Sequence, residues 1–416
     1  MRTTINLGLV ACLGGFLISA PSRADNWPQW RGPDRTDISK ETGLLKQWPE
    51  GGPKRVWLFK EAGLGYAGFS VVGQTLYTMG ARGDVETLMA INVADGSQKW
   101  ASAMAPMLTN GWGDGPRGTP TVDGDHVYAL SGKGILVCAS AADGAIVWKT
   151  AMADLGGKTP GWGYTESPLV DGDKVLCTPG GKSGAIAALD KNTGKAIWQS
   201  KDFTEGAQYS SIIPAEINGK RQYIQLTQKE LVGLNAATGN TLWTSEWPGK
   251  TAVIPTPIVH ENYVYITSGY GSGCKLVQIG ADNKPADVYK NDVMENHHGG
   301  VVLVGDHVYG FSNKGGWTCQ EFKTGKAVWT EKKQLGKGCL TYADGMLYLM
   351  GEADGQVVLI DASPEGWKEH GRFALQPQTT QRSPKGKIWT HPVIANGKMY
   401  LRDQELISCF DVSAGK

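Results

Sequence analysis

Apolar and polar residues alternate along residues 167–198, SPLVDGDKVLCTPGGKSGAIAALDKNTGKAIW, and the alternation breaks only at clusters of Asp, Gly, Asn and Ser. A period of two bounded by turn-forming residues predicts four short β-strands, SPLV, KVLCTP, AIAALD and KAIW. Asp171-Gly172 is a two-residue hairpin turn whose twist suits antiparallel strands. Gly180-Gly181 with Lys182 and Ser183 makes a looser turn, and Asn192-Thr193-Gly194 reverses the chain before the fourth strand. No helical spacing competes.

The unit recurs. Its first turn reappears at Gly73, Asp123-Gly124, Asp171-Gly172, Asn218-Gly219, Glu261-Asn262, Gly305-Asp306, Asp344-Gly345 and Asn396-Gly397, eight copies in all. The tryptophan of the fourth strand recurs at Trp57, Trp100, Trp148, Trp198, Trp243 and Trp329, with Tyr289 in one vacant slot and the last slot falling near Phe373. A period in the forties with four strands per unit predicts an all-β, eight-bladed propeller. The final repeat supplies only HPVIA, KMYLR and LISCFDV. Its missing strand is expected from residues 54–59, KRVWLF, so that the two ends of the chain close the ring and leave no open edge there.

Charge narrows the partners. Forty-one Lys and Arg against forty Asp and Glu, with no basic run, leave no electrostatic footprint for nucleic acid. Residues 1–24 read as a secretory signal cleaved after Ala24, with Ser22-Arg23-Ala24 as the small-x-small site. A lipoprotein reading through Cys12 is the weaker alternative, because the apolar run continues well past it. No later run is long enough to span a bilayer, so a periplasmic or secreted protein is expected. Export permits disulfides, yet Cys138, Cys319 and Cys409 occupy one repeat position in different blades and so cannot bridge one another. The six cysteines beyond the signal are expected to be small buried side chains. Residues 25–53, dense in Gly and Pro, read as an extended arm with Trp27, Trp30 and Trp48 as packing anchors. The propeller is expected over residues 54–416.

Residues 188–198, ALDKNTGKAIW, match the A-x-D-x-x-x-G-x-x-x-W motif of the pyrroloquinoline-quinone (PQQ) repeat, and residues 90–100 and 233–243 are close variants. The chain thus resembles the PQQ-repeat propellers, in which the tryptophan of one blade packs against its neighbour. The opening WPQWRGP is similar to exported propellers of this type. The repeat also resembles that of BamB-type outer-membrane assembly factors, which are non-enzymatic scaffolds, and of quinoprotein dehydrogenases.

Fold does not set function, so the loops must. The loops leading into each first strand, and those joining second to third strands, gather on one face. They bring Trp112, Asp114 and Arg117 from blade two, Trp162, Tyr164 and Glu166 from blade three, Tyr209 from blade four, His297 and His298 from blade six, and Trp389 and His391 from blade eight. Aromatic and charged groups converging on one mouth are expected to form a ligand site. Trp112 and Trp162 fit either as platforms for a planar ligand or as plugs of a wide ring. Asp114 with Arg117, and Glu166, fit better as loop supports than as ligand groups. The His pair fits loop support better than a metal, since adjacent side chains on an extended segment diverge. Asp-Gly-Asp at 123–125 and 171–173 is turn chemistry, not a calcium loop.

Two function classes follow. The favoured one is a non-catalytic binding or scaffold module, taking a protein, peptide or glycan at the funnel face, within an envelope complex or alone, with no cofactor required. The other, implied by the resemblance, is an oxidoreductase of alcohols or sugars carrying PQQ and calcium, with Glu166 and Asp114 the only carboxylates that suggest themselves for the ion.

Overall fold

The computed structural model describes residues 26–415, so the signal, its cleavage after Ala24 and Cys12 lie outside the described residues. Seven antiparallel sheets follow in chain order over residues 70–106, 121–151, 169–199, 213–246, 258–291, 301–331 and 338–374. The eighth holds Val393–Ala395, Lys398–Asp403 and Leu406–Asp411, and its fourth strand is Arg55–Phe59 from the other end of the chain. That strand pairs antiparallel with Leu406–Asp411, setting Trp57 opposite Cys409 and Phe59 opposite Ile407. The ring is closed as the repeat count requires. First strands of neighbouring blades touch one another, which places them around the axis.

One local rule shapes the blades that carry the tryptophan. A small residue stands opposite the fourth-strand tryptophan, Ala90 to Trp100, Cys138 to Trp148, Ala188 to Trp198, Gly233 to Trp243 and Cys319 to Trp329. The register slips immediately beyond each pair. A short partner leaves room for an indole on that face of the sheet, and the bulge turns the strand. The ring then leans onto the next blade, where Trp57, Trp100, Trp148 and Trp198 cover Gly96, Gly144, Gly194 and Gly239 so closely that a Cβ would fall 2.3–2.7 Å from the indole. The indole N–H of Trp57, Trp100, Trp148 and Trp329 donates to a carbonyl of that next blade, and the Tyr289 hydroxyl does the same to Phe322. The six cysteines among the described residues are free and buried, as expected of small apolar fillers. Asp123 and Asp171, in the Asp-Gly-Asp turns, accept Lys191 and Arg221 from the following blade.

The seventh blade departs from expectation. Its register places Gly371, not Phe373, opposite Leu359 at the tryptophan slot. Gly371 holds a φ of +142°, open to glycine alone, and a Cβ there would meet the Trp48 Cβ at 2.6 Å. Trp48, from the amino-terminal arm, donates its backbone N–H to His370 and packs on Tyr348 and Phe373. The arm therefore delivers the indole that this blade lacks.

The arm does more than lie against the ring. Asn26 enters beside the turn at Gly73, the chain rises into the axis to Trp30, and Ile38–Ser39 descends parallel to the first strand of blade seven. Glu41 then binds the turn at Asn396-Gly397 on the same face as Asn26. Along this path it bonds the inner part of every blade. Trp27 bridges Val71, and Pro28 accepts from Val122. Arg35 donates to Ser167, Pro168 and Ile212 carbonyls. Trp30 bonds Thr256, Arg31 donates to the Val301 carbonyl, Asp37 accepts from Thr341, and Ser39 donates to Ile394. Residues 26–39 thus plug the central channel.

Trp48→Ala should cost roughly 3–5 kcal/mol of stability, as other deletions of buried tryptophan do. Trp112→Ala, at a side chain 41% exposed, should stay within about 0.5 kcal/mol. Urea unfolding of the two variants checks the contrast.

Candidate functional site

Above the plug lies a cavity of about 230 Å³, walled by the loops that lead into the first strands. Trp30 and Arg31 of the arm are its floor. Tyr66 of blade one, Trp112 and Arg117 of blade two, Trp162 of blade three, Tyr209 of blade four, Tyr270 of blade five, His297 and His298 of blade six, and Trp389 and His391 of blade eight complete it. Eight of the eleven residues singled out from the sequence meet here, all on one side of the ring.

The remaining three do not. Tyr164 is buried in the core between blades, its hydroxyl donating to the Pro179 carbonyl. Asp114 accepts the backbone N–H of Asn110 and holds its loop. Glu166 is buried beneath the cavity, where Oε2 accepts the Thr178 N–H at 2.9 Å. Each sits in a lead-in loop, but a glycine of positive φ follows the tryptophan, Gly113 at 127° and Gly163 at 81°, and breaks the alternation that would have kept residues two or four places on along its face. The two carboxylates considered for calcium are therefore not brought together, and no Asp or Glu lines the cavity. Among the described residues no group of three His, Cys, Asp or Glu side chains is placed to hold a metal ion. The lining as built supplies no carboxylate for a calcium ion.

The walls are cross-linked. Tyr66 packs on Trp389 at 4.8 Å between ring centres, and its hydroxyl donates to the Trp112 carbonyl. Trp162 meets Tyr209 at 5.7 Å, Tyr270 meets His297 at 4.7 Å, and Trp30 meets His391 at 4.8 Å. Arg117 lies over Tyr66, 5.1 Å from its centre, and donates to the Gly113 carbonyl. His391 bridges the floor to the wall, Nδ1 to Asp37 at 3.2 Å and Nε2 to the His298 carbonyl at 3.1 Å. Trp112 and Trp162 are wall rather than plug.

Sequence reading missed a carboxylate. Glu352, in the loop joining second and third strands of blade seven, accepts from His298 Nε2 at 2.5 Å and Trp389 Nε1 at 2.9 Å through one oxygen. Burial pushes its pKa up, but His298, Lys337 and Trp389 outweigh that and hold it below the usual carboxylate range. Burial drives His298 down, and drives His297, beside His298 and Lys337, down to about 3. Lys337 donates to His297 Nδ1. Repeat position gives the signal that would have found Glu352 and Tyr66, since each stands in a loop class already assigned to this face. Trp30 and Arg31 carry no such signal, because the arm belongs to no repeat.

A family model described as outer membrane protein assembly factor BamB matches residues 84–331. BamB from Moraxella catarrhalis superposes with a TM-score of 0.63 at 16% identity, covering 87% of this chain and 98% of that one. The quinohemoprotein alcohol dehydrogenase from Comamonas testosteroni gives 0.61 at 13% identity, covering 94% and 81%. A europium-containing methanol dehydrogenase gives 0.61 at 13% identity, covering 91% and 89%. At such identities the likeness is one of fold. No curated protein sequence matches the chain.

Burial raises Glu166 to about 8, against the lowering pull of its Thr178 bonds and Arg35. The folded state therefore holds a proton that the unfolded chain releases near its ordinary value of about 4.3. Between those values stability falls as pH rises, by up to about 1.4 kcal/mol per pH unit, and the loss is complete above the folded pKa. Glu166→Gln should flatten this slope, which unfolding free energies at pH 5.5, 6.5 and 7.5 would reveal.

Proposed function

Because this chain belongs to the family of the outer membrane protein assembly factor BamB, we propose that it is a non-catalytic binding or scaffold module of the cell envelope. Its aromatic funnel receives a protein, peptide or glycan. The observation that carries this reading is the way the site spends its reactive groups. Glu352 is committed to His298 and Trp389, Asp37 to Arg31 and His391, and Glu166 lies out of reach. General acid–base work needs a titrating group within hydrogen-bond reach of the bound molecule. Here the surfaces offered to a guest are ring faces, which supply contact area at small conformational cost. No helix among the described residues is long and apolar enough to cross a membrane.

The oxidoreductase alternative gives the test its second arm. Protein incubated with PQQ and calcium, then offered alcohols and sugars with an artificial electron acceptor, should reduce no dye. Affinity capture from envelope extract should retain a defined partner or glycan in stoichiometric amount, and Trp162→Ala should lose it. Dye reduction, or capture indifferent to Trp162, would overturn the proposal.

A further inference from the structure

The chemistry of the cavity narrows its guest, on the premise that the binding reading above holds. Its lining contains two arginines and three histidines and no acidic side chain. Three of these groups carry buried nitrogens with no protein partner: Arg31 Nη1, Arg117 Nε and His298 Nδ1. Arg31 already gives Nη2 to Val301 and Thr36 and faces Asp37 through Nε at 3.5 Å, so Nη1 is the donor it has left over. Arg117 likewise spends one N–H on Gly113. Buried polar groups are rarely left unpaired without a reason. Two guanidinium groups in the lining of a cavity that presents no acidic side chain are matched by an acceptor that carries negative charge, above all a carboxylate.

The walls say what bears the carboxylate. The aromatic pairs are inclined, at 39° for Trp112 and Trp389, 48° for Tyr66 and Trp389, and 66° for Trp162 and Tyr209. None of these pairs forms the parallel slot that would clamp a flat conjugated acid. Separate faces tilted around an opening instead suit rings that are puckered, with C–H faces and polar edges. An extended peptide fits worse, because its main chain presents no comparable ring face to the tilted indoles. We propose that the cavity binds an acidic sugar of the hexuronic class, its carboxylate turned toward Arg117 and Arg31 and its pyranose faces resting on Trp112, Trp162 and Trp389. A cavity of about 230 Å³ admits a short stretch of such rings and leaves the rest of a chain to run out over the exposed Trp112.

The test uses the full mature chain with trigalacturonic acid and its methyl ester, which share every ring and differ in charge. Tryptophan fluorescence and calorimetry should show saturable binding of the acid, weaker for the ester by about tenfold or more, the worth of one charged hydrogen bond. Arg117→Gln, shown folded by circular dichroism, should bring the acid down to the ester's level. Trp112→Ala should weaken both. Should Arg117→Gln not fold, the acid-to-ester ratio of the unaltered protein decides. Equal binding of acid and ester, or binding of neither, overturns the acidic-sugar assignment. If neither sugar binds while Trp162-dependent capture of another partner persists, that assignment alone falls. Dye reduction with PQQ and calcium would instead overturn the binding module on which it rests.

Discussion

The inner strand of each blade leaves one edge unpaired, and in a closed ring eight such edges face the same axis. Their carbonyls and N–H groups are buried there and must find partners. Two devices supply them. Around the ring, a hydroxyl of one blade donates to a proline carbonyl of the next: Ser70 to Pro120, Thr121 to Pro168, Ser210 to Pro255 and Thr341 to Pro392. Proline cannot donate, so its carbonyl is presented to the neighbour with no competing N–H of its own. Down the axis, the arm meets what the ring leaves over. Arg35 alone serves carbonyls of blades three and four, and Arg31 one of blade six.

That solution is bought at a local cost. Arg31, Arg35 and Asp37 all take a left-handed backbone, at φ of 61°, 57° and 63°, which side-chain-bearing residues adopt only where surroundings over-determine them. Burial drives Arg35 down to about 9 despite the Coulombic help of Glu166. Arg31 is lowered by burial as well, with Asp37 opposing. The guanidinium is the right group to carry into such a place, since its fork of donors can serve several carbonyls at once. Because the same arm supplies Trp30 to the cavity floor, Asp37 to His391 and Trp48 to blade seven, the ring and the site share one set of supports.

Much of this was legible in the residues. Period-two alternation, the turn residues and the tryptophan spacing specify the blades, and the three-stranded last repeat specifies closure, because these are local signals repeated from blade to blade. Repeat position also placed Trp112, Trp162, Tyr209, His297, His298, Trp389 and His391 on one face. What escaped was non-local. The last tryptophan slot reads as Phe373, and only register shows that Gly371 holds it and that Trp48, hundreds of residues earlier in the chain, fills the space. Trp30 reads as a packing anchor until the path of the arm puts it under the cavity. Tyr164 and Glu166 share a lead-in loop with Trp162, and composition alone does not say which face of that loop each takes.

Cross-linking of the rim bears on what such a site can select. The Tyr66 hydroxyl holds the Trp112 carbonyl, the Trp162 N–H reaches the Tyr209 hydroxyl at 3.4 Å, Ser383 donates to the Gly111 carbonyl, and Glu352 ties Trp389 to His298. Each bond removes freedom that a guest would otherwise have to quench on arrival. A wall fixed in advance favours molecules whose shape already matches it and penalises those that need it to move. The bonds that consume the rim's polar groups therefore hold the aromatic faces still before any guest arrives.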